Sequence, residues 1–329
     1  MLLAGDIGGT NTRLALYGDD AKRAIREDSL PSRSFPSLER AVRAFLGPRP
    51  PHIGAATFGI AGPVIAGRVK TTNLPWVVDE KALSRRLGIP RVRLLNDLVS
   101  IAFGAVAAPK NAFVRLQGGP PRHSKGETLA VIAAGTGLGE AALVWDGERL
   151  VPCGSEGSHG DFAPRNKLEW ELFEFLAKRF KGHVSYERIV SGPGLGNVYD
   201  FFREVKRMRE PAERARALAD APDRNQLIAE YGLAGKSRAC KAAIDLFTTV
   251  YGAEAGNVAL RFLSTGGLFL AGGIAANLSP LLAEGPFLAA FRDKGRLSPL
   301  LEKLPVAIVL DPKIGLSGAA QHAAALLSA

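Results

Sequence analysis

At 329 residues the chain can hold two domains at roughly 150 residues each, and its 47% hydrophobic content is that of an ordinary globular protein. Its longest apolar stretch, Val258 to Leu278, is broken by Arg261 and several glycines, which excludes a spanning helix and leaves no membrane partner to expect. The formal charge of +10 raises nucleic acid as a partner, yet the densest basic stretch, REVKRMREPAERARAL (203–218), is interleaved with Glu204, Glu210 and Glu213. That mixture fits a solvated helix face better than a phosphate-tracking patch, so no nucleic acid is expected. A basic surface also favours the approach of small polyanions such as nucleotides.

The chain meets Asp6 with no basic leader before it, so no signal peptide is expected. Cys153 and Cys240 are too few for a disulfide framework, and a cytoplasmic location is the simplest expectation.

In chain order, Leu2 to Gly5 and Arg13 to Tyr17 read as strands flanking the turn GDIGGTNT. Glycine has no Cβ and tolerates positive φ, so such a turn lets a ligand approach peptide N–H groups. A plain hairpin loop explains it equally well on its own. SLERAVRAFLG (37–47) has helical periodicity. RVRLLNDLVSIAFGA (91–105) reads as a strand, then Asn96-Asp97, then a helix. Those two residues suit a helix cap, and Asp97 equally suits a base that accepts a hydroxyl proton.

TLAVIAAGTGLGEAALVW (128–145) repeats the first layout, strand, glycine turn, strand. Glu156-Gly-Ser-His159 follows, its two glycines, Gly157 and Gly160, leaving the loop free to wrap a ligand closely. Cys153, Glu156, His159 and Asp161 crowd together like a zinc cluster, but one cysteine is too few for a structural zinc site. EWELFEFLAKRF (169–180) and AAIDLFTTVYG (242–252) read as helices, with Glu187 as a helix-start carboxylate between them. GPGLGN and GTGLGE lack the last glycine of a dinucleotide fingerprint, and GLAGKS (232–237) lacks the first glycine of a phosphate loop. GGLFLAGGIAANLSPLL (266–282) is a third strand running into a glycine turn. Three such turns suggest one nucleotide held between two similar halves, and the alternation of strands and helices indicates an α/β protein.

Taken in this order, the motifs resemble those of bacterial glucokinases of the non-ROK type, within the actin-like ATPase superfamily. GDIGGTNTRLAL is similar to the first phosphate motif, AAGTGLGEA to the second and FLAGGIA to the adenosine motif. The likeness continues through TTNLPW (71–76), RLLNDL (93–98), EGSHGDFAP (156–164), SYERIVSGPGLGNVY (185–199) and the segment 289–320. It implies a two-domain actin-like ATPase (ribonuclease H-like) fold with an active-site cleft between the domains. The small domain would comprise residues 1–108 plus 313–329, closed by a last helix from Leu316 to Leu327, and the large domain residues 109–312. Pro109 and GGPPRHSKG (118–126) are candidate connectors.

The resemblance further implies phosphorylation of glucose by ATP with Mg²⁺, and a homodimer. Asp97 falls on the catalytic base, and Asn73, Asn96, Asp97, Glu156, His159 and Glu187 fall on sugar ligands. Asp6, Gly8, Gly9, Thr10, Asn11, Gly135, Thr136, Gly137, Gly272 and Gly273 fall on the nucleotide site, with Asp6 holding the magnesium through water. ROK kinases carry a zinc held by three cysteines and a histidine, and their repressor relatives a DNA-binding segment ahead of the first turn; neither is expected here. Another hexose substrate, or a non-catalytic sensor or filament, are the alternatives. Ala134 and Glu140 depart from the commonest pattern, as do Ser158 and Gly160 more mildly. A carboxylate at 140 would either repel the phosphates or point into solvent.

Overall fold

The computed structural model describes residues 1–71, 73–119, 121 and 125–328, Ser328 by its backbone alone. Thr72 of the TTNLPW stretch and part of the expected GGPPRHSKG connector therefore lie outside the described residues. The first half holds β1 (Leu2–Ile7), β2 (Asn11–Tyr17), β3 (Ala24–Pro31), β4 (Ala55–Ile60), the short ribbon β5 (Arg68–Lys70) with β6 (Val77–Asp79), and β7 (Arg91–Asn96). The second holds β8 (Phe113–Gln117), β9 (Leu129–Ala134), β10 (Leu138–Trp145), β11 (Leu150–Ser155), β12 (Gly267–Ala271) and β13 (Val306–Val309).

Two sheets form, ordered β3-β2-β1-β4-β7 and β11-β10-β9-β12-β13-β8. In each, three antiparallel strands lead into parallel ones: β1 joins β4 and β7, and β9 joins β12 and β13. The strand order of the first sheet is thus repeated in the second, with β8 added at its edge. Burial follows position in the sheet. Central β4, AATFGI, is buried at every residue, as a strand covered on both faces must be, whereas edge strand β3, AIREDSLP, is exposed and charged.

Both hairpin turns are tighter than expected. Asp6 pairs with Arg13 and Ile7 with Thr12, and Asn11 already belongs to β2 through its pairing with Pro31 of β3, so only Gly8, Gly9 and Thr10 remain as the turn. In the second hairpin Leu138 pairs with Ala134, which leaves Gly135, Thr136 and Gly137.

One helix, Asp97–Ala107, packs on β4 and β7 of the first sheet and on β9, β10 and β11 of the second. Its Leu98, Val99 and Ala102 share a core with Leu129, Val131 and Phe269. The last helix, Ile314–Ser328, longer at both ends than expected, returns to lie along that helix and on β1 and β4. The two helices cross at Gly104 and Gly318, where any Cβ would overlap the backbone carbonyls of Ile314 and Ser100.

The basic stretch 203–218 is not one helix face. Helix Gly192–Glu204 ends, residues 205–211 link through Arg207 at φ 56° and Pro211, and helix Ala212–Asp220 begins. Lys206 Nζ bonds Glu171 Oε2 at 2.6 Å and Arg214 Nη1 meets Glu210 Oε2 at 3.3 Å, so part of this charge is already paired. Val258 to Leu278 divides between the end of helix Arg238–Arg261, a turn, β12 and the short helix Gly273–Asn277. Among the described residues no helix is long and apolar enough to cross a membrane.

Candidate active site

The first glycine turn is held by its own backbone. Gly8 N donates to Asn11 O at 2.9 Å, and Ser32 Oγ donates to Gly8 O at 2.7 Å. Thr10 and Asn11 are left exposed. A Cβ on Gly9 would fall 2.6 Å from Asn73 Cβ, so Asn73 stands against this turn. Asp6, at the end of β1, meets Arg13 Nη1 at 3.4 Å. Burial pushes the Asp6 pKa up and the Arg13 charge works against it. Arg13, which also donates to Pro312 O at 3.3 Å, drew no notice in the sequence, although the hairpin register sets it opposite Asp6.

Asn96 and Asp97 sit where β7 becomes a helix, and the capping reading of them holds geometrically. Asn96 Oδ1 accepts from Leu98 N at 2.9 Å, the N-cap bond, while its Nδ2 donates to Gly62 O at 3.3 Å. Asp97 Oδ1 also accepts from Leu98 N, at 3.0 Å. Burial drives the Asp97 pKa up to about 6, and the negative charges of Asp6 and Glu156 add to the rise while the Leu98 N–H opposes it. Across from this helix start, Gly154 of β11 approaches Asn96 so closely that a Cβ would sit 3.6 Å from Asn96 Cβ. Asn96 and Glu156 line one cavity of about 330 Å³, walled also by Pro63, Val64, Ile65 and Ser155.

Glu156, His159 and Glu187 converge from different segments. His159 Nε2 lies 3.8 Å from Glu156 Oε2, and its Nδ1 lies 3.9 Å from Glu187 Oε1. His159 belongs to the one-turn helix Gly157–His159 and Glu187 to another, Tyr186–Arg188. Glu187 Oε2 accepts from Leu138 N at 3.0 Å, and a Cβ on Gly137 would fall 2.5 Å from that same oxygen. One carboxylate therefore grips the second glycine turn with one oxygen and faces His159 with the other.

Gly157 is also required from inside: a Cβ there would meet Glu140 Oε2 at 2.5 Å and Ser155 Oγ at 2.9 Å, so core packing alone already demands its bareness. The expectation for Glu140 needs correction: it neither faces the second glycine turn nor reaches solvent. Its side of β10 faces helix Arg238–Arg261, and it is 1% exposed beside Glu254 and Arg261.

The second and third glycine turns meet. Gly135 N donates to Gly137 O, and Gly192 N to Gly135 O, each at 2.8 Å. Gly272, at φ 87°, backs onto Ala134 O, which a Cβ would approach to 2.6 Å. They border a cavity of about 620 Å³ whose walls include Gly135, Thr136, Gly192, Asn225, Gln226 and Gly273. Gly8, Gly9 and Thr10 line neither cavity, and Gly272 stands behind the larger one. Gly192 and the helix Arg224–Leu233 that carries Asn225 and Gln226 were missed in the sequence. GPGLGN was noticed there but dismissed for want of a final glycine, and its use here is as a helix start capped by Ser191. No motif marks Asn225 or Gln226.

A repeated sheet order with glycine turns after apolar strands is the layout of the actin-like ATPase fold. The fold is shared with a ROK family glucokinase from Streptomyces griseus solved in complex with glucose and AMPPNP, at TM-score 0.63, 19% identity and 98% coverage of each chain. The glucokinase family model matches residues 3–326. A glucokinase of Trichormus variabilis is 40% identical over 342 residues, 99% of each chain. A crystal structure of a glucokinase from an Antarctic psychrotroph superposes at TM-score 0.82 with 30% identity, covering 98% of each chain. The chain belongs to the glucokinase family.

Proposed function

We propose that this chain transfers the γ-phosphate of ATP to the 6-hydroxyl of glucose, with Asp97 accepting the hydroxyl proton. The observation that carries the reading is the Asp97 carboxyl itself: at a helix start, with a pKa near 6, and within electrostatic reach of Glu156, which faces His159. Such a group is ionised at neutral pH yet basic enough to take a proton as the new bond forms. The sugar oxygen attacks phosphorus, the bond to the ADP oxygen breaks, and the hydroxyl proton passes to Asp97.

Asn73, Asn96, Glu156, His159 and Glu187 hold the sugar hydroxyls, each of which needs a fixed partner if an epimer is to be rejected. Gly8, Gly9, Thr10 and Asn11 on one side, and Gly135, Thr136 and Gly137 on the other, present peptide N–H groups to the phosphates. The larger cavity, with Gly272 and Gly273 at its edge, takes the adenosine. Glu187 ties the two substrates together, since its second oxygen is bonded to the phosphate turn. Residues 1–108 with 313–329 act as one lobe and 109–312 as the other, and closing them over the sugar keeps water from the phosphate.

Magnesium fits this site. Asp6, Asp97 and Glu156 concentrate negative charge, and Arg13 is a distant partner for Asp6 at 3.4 Å. Asp6 would hold the ion through water, and the ion supplies neutralisation of phosphate charge. The protein is taken to be a cytoplasmic homodimer.

The test is ADP release from ATP and Mg²⁺ with glucose, mannose, fructose or N-acetylglucosamine, and with no sugar. Turnover should be greatest with glucose and far lower without sugar. Equal rates with and without sugar would overturn the reading, and a preference for another hexose would overturn the glucose assignment.

A further inference from the structure

Behind the glucose-site loop lies a buried polar network that the reaction does not use. Glu140 and Glu254 are both fully buried, and neither Glu140 oxygen has a hydrogen-bond donor among the described residues. Their neighbour is another carboxyl, so a bond between Glu140 and Glu254 exists only when one of them carries a proton. Arg261 Nη1 bonds Glu254 Oε1 at 2.6 Å and stands 3.6 Å from Glu140 Oε2, so the guanidinium is committed to Glu254.

The network reaches two substrate segments. Glu140 presses on Gly157, the residue between Glu156 and His159, from below. Glu254 Oε2 accepts from Asn257 Nδ2 at 2.8 Å, and the same nitrogen donates to Tyr186 OH at 3.2 Å. Tyr186 immediately precedes Glu187 in its one-turn helix. Lys294 Nζ locks Asn257 from the far side, through Asn257 Oδ1 at 2.7 Å and Ala253 O at 2.9 Å.

We propose that Glu140, paired with Glu254, is a positioning residue for the glucose site, bracing Glu156 and His159 through Gly157 between them and Glu187 through Asn257 and Tyr186. The inference rests on the glucose-site reading above. A buried pair of this kind is held at fixed geometry because any displacement leaves a polar group unpaired. Burial and the Glu254 charge push the Glu140 pKa up to about 8, while Arg261 pulls it down. Lys294 and Tyr186 both bond Asn257, on the other side of Glu254, and the Ser155 hydroxyl of β11 lies beside Gly157. Below pH 8 the shared proton holds the pair together. Above it two adjacent carboxylates repel beneath Gly157.

The experiment compares wild type, Glu140→Gln, Glu140→Ala and Glu156→Gln in steady-state kinetics from pH 6.5 to 9, pH values chosen to span that transition. A glutamine donates to Glu254 as the protonated acid does, so Glu140→Gln should keep its glucose KM within about twofold of wild type at neutral pH. Glu140→Ala should raise glucose KM about tenfold with kcat and the ATP KM unchanged. Wild-type glucose KM should climb above pH 8, and that of Glu140→Gln should stay flat. An alanine variant with normal glucose KM, or a climb that persists in the glutamine variant, would overturn the proposal. If the alanine variant does not fold, the two pH profiles decide alone. Failure of the glucose-site reading looks different: there, Glu156→Gln leaves the glucose KM of the enzyme unchanged.

Discussion

The two glycine hairpins are built alike and use their carboxylates in opposite ways. In the first, the acid precedes the turn: Asp6 lies one residue before the end of β1, meets a distant arginine and lies within electrostatic reach of Asp97. In the second, the acid follows the turn: Glu140 lies on β10, and the strand's alternation turns it inward to Glu254 and Arg261. The site of the second hairpin receives its charge from another segment, through Glu187. A strand reverses the side on which its side chains point at each residue. On β10 that alternation sets Glu140 on the face that packs against helix Arg238–Arg261.

Three perturbations sharpen that contrast. The largest effect should come from the first half. Asp97→Asn is expected to lose about 10²–10⁴ in kcat while still binding glucose, measured by single-turnover kinetics and calorimetry. In the wild type, kcat/KM should rise as pH increases through about 6, because the base works only when ionised and its folded pKa is raised to that value. A profile flat across that range would place the base elsewhere.

Glu187→Gln, in the second half, should be milder, raising glucose KM about 10–100-fold through loss of a charged acceptor. Because Glu187 also holds Leu138 N at the phosphate turn, its ATP KM should rise too. A change confined to glucose would separate the turn from the sugar.

The smallest effect should come where the halves join. Gly318→Ala forces a methyl against the Ser100 carbonyl, and we expect a loss of about 1–3 kcal/mol, visible in the thermal midpoint. Gly135→Ala, where nothing lies within 4 Å of a Cβ, is the control that should melt like wild type.

Much of this arrangement was legible in the sequence, and its limits have physical causes. Alternating apolar strands and the glycines after them marked both hairpins, because strand period and turn chemistry are local. The Asn96-Asp97 step was equally plain as a helix start, since capping depends only on residues next to one another in the chain. Glu140 was misjudged because a strand's inward face is defined only by what packs on it, here helix Arg238–Arg261, far along the chain. The packing need for Gly157 was hidden because Glu140, which it meets, is not adjacent in sequence. Asn225 and Gln226 bear no motif at all, and become part of a cavity wall only when their helix docks beside Gly135.

The amino-acid order alone determined the strands, the bare turns and which carboxylates stand next to them, because these depend on contacts a few residues apart. Only the tertiary structure decided which acids face a cavity and which are sealed in the core. That choice is made by long-range packing, which sets how much water each carboxyl keeps and so whether it holds a charge or a proton.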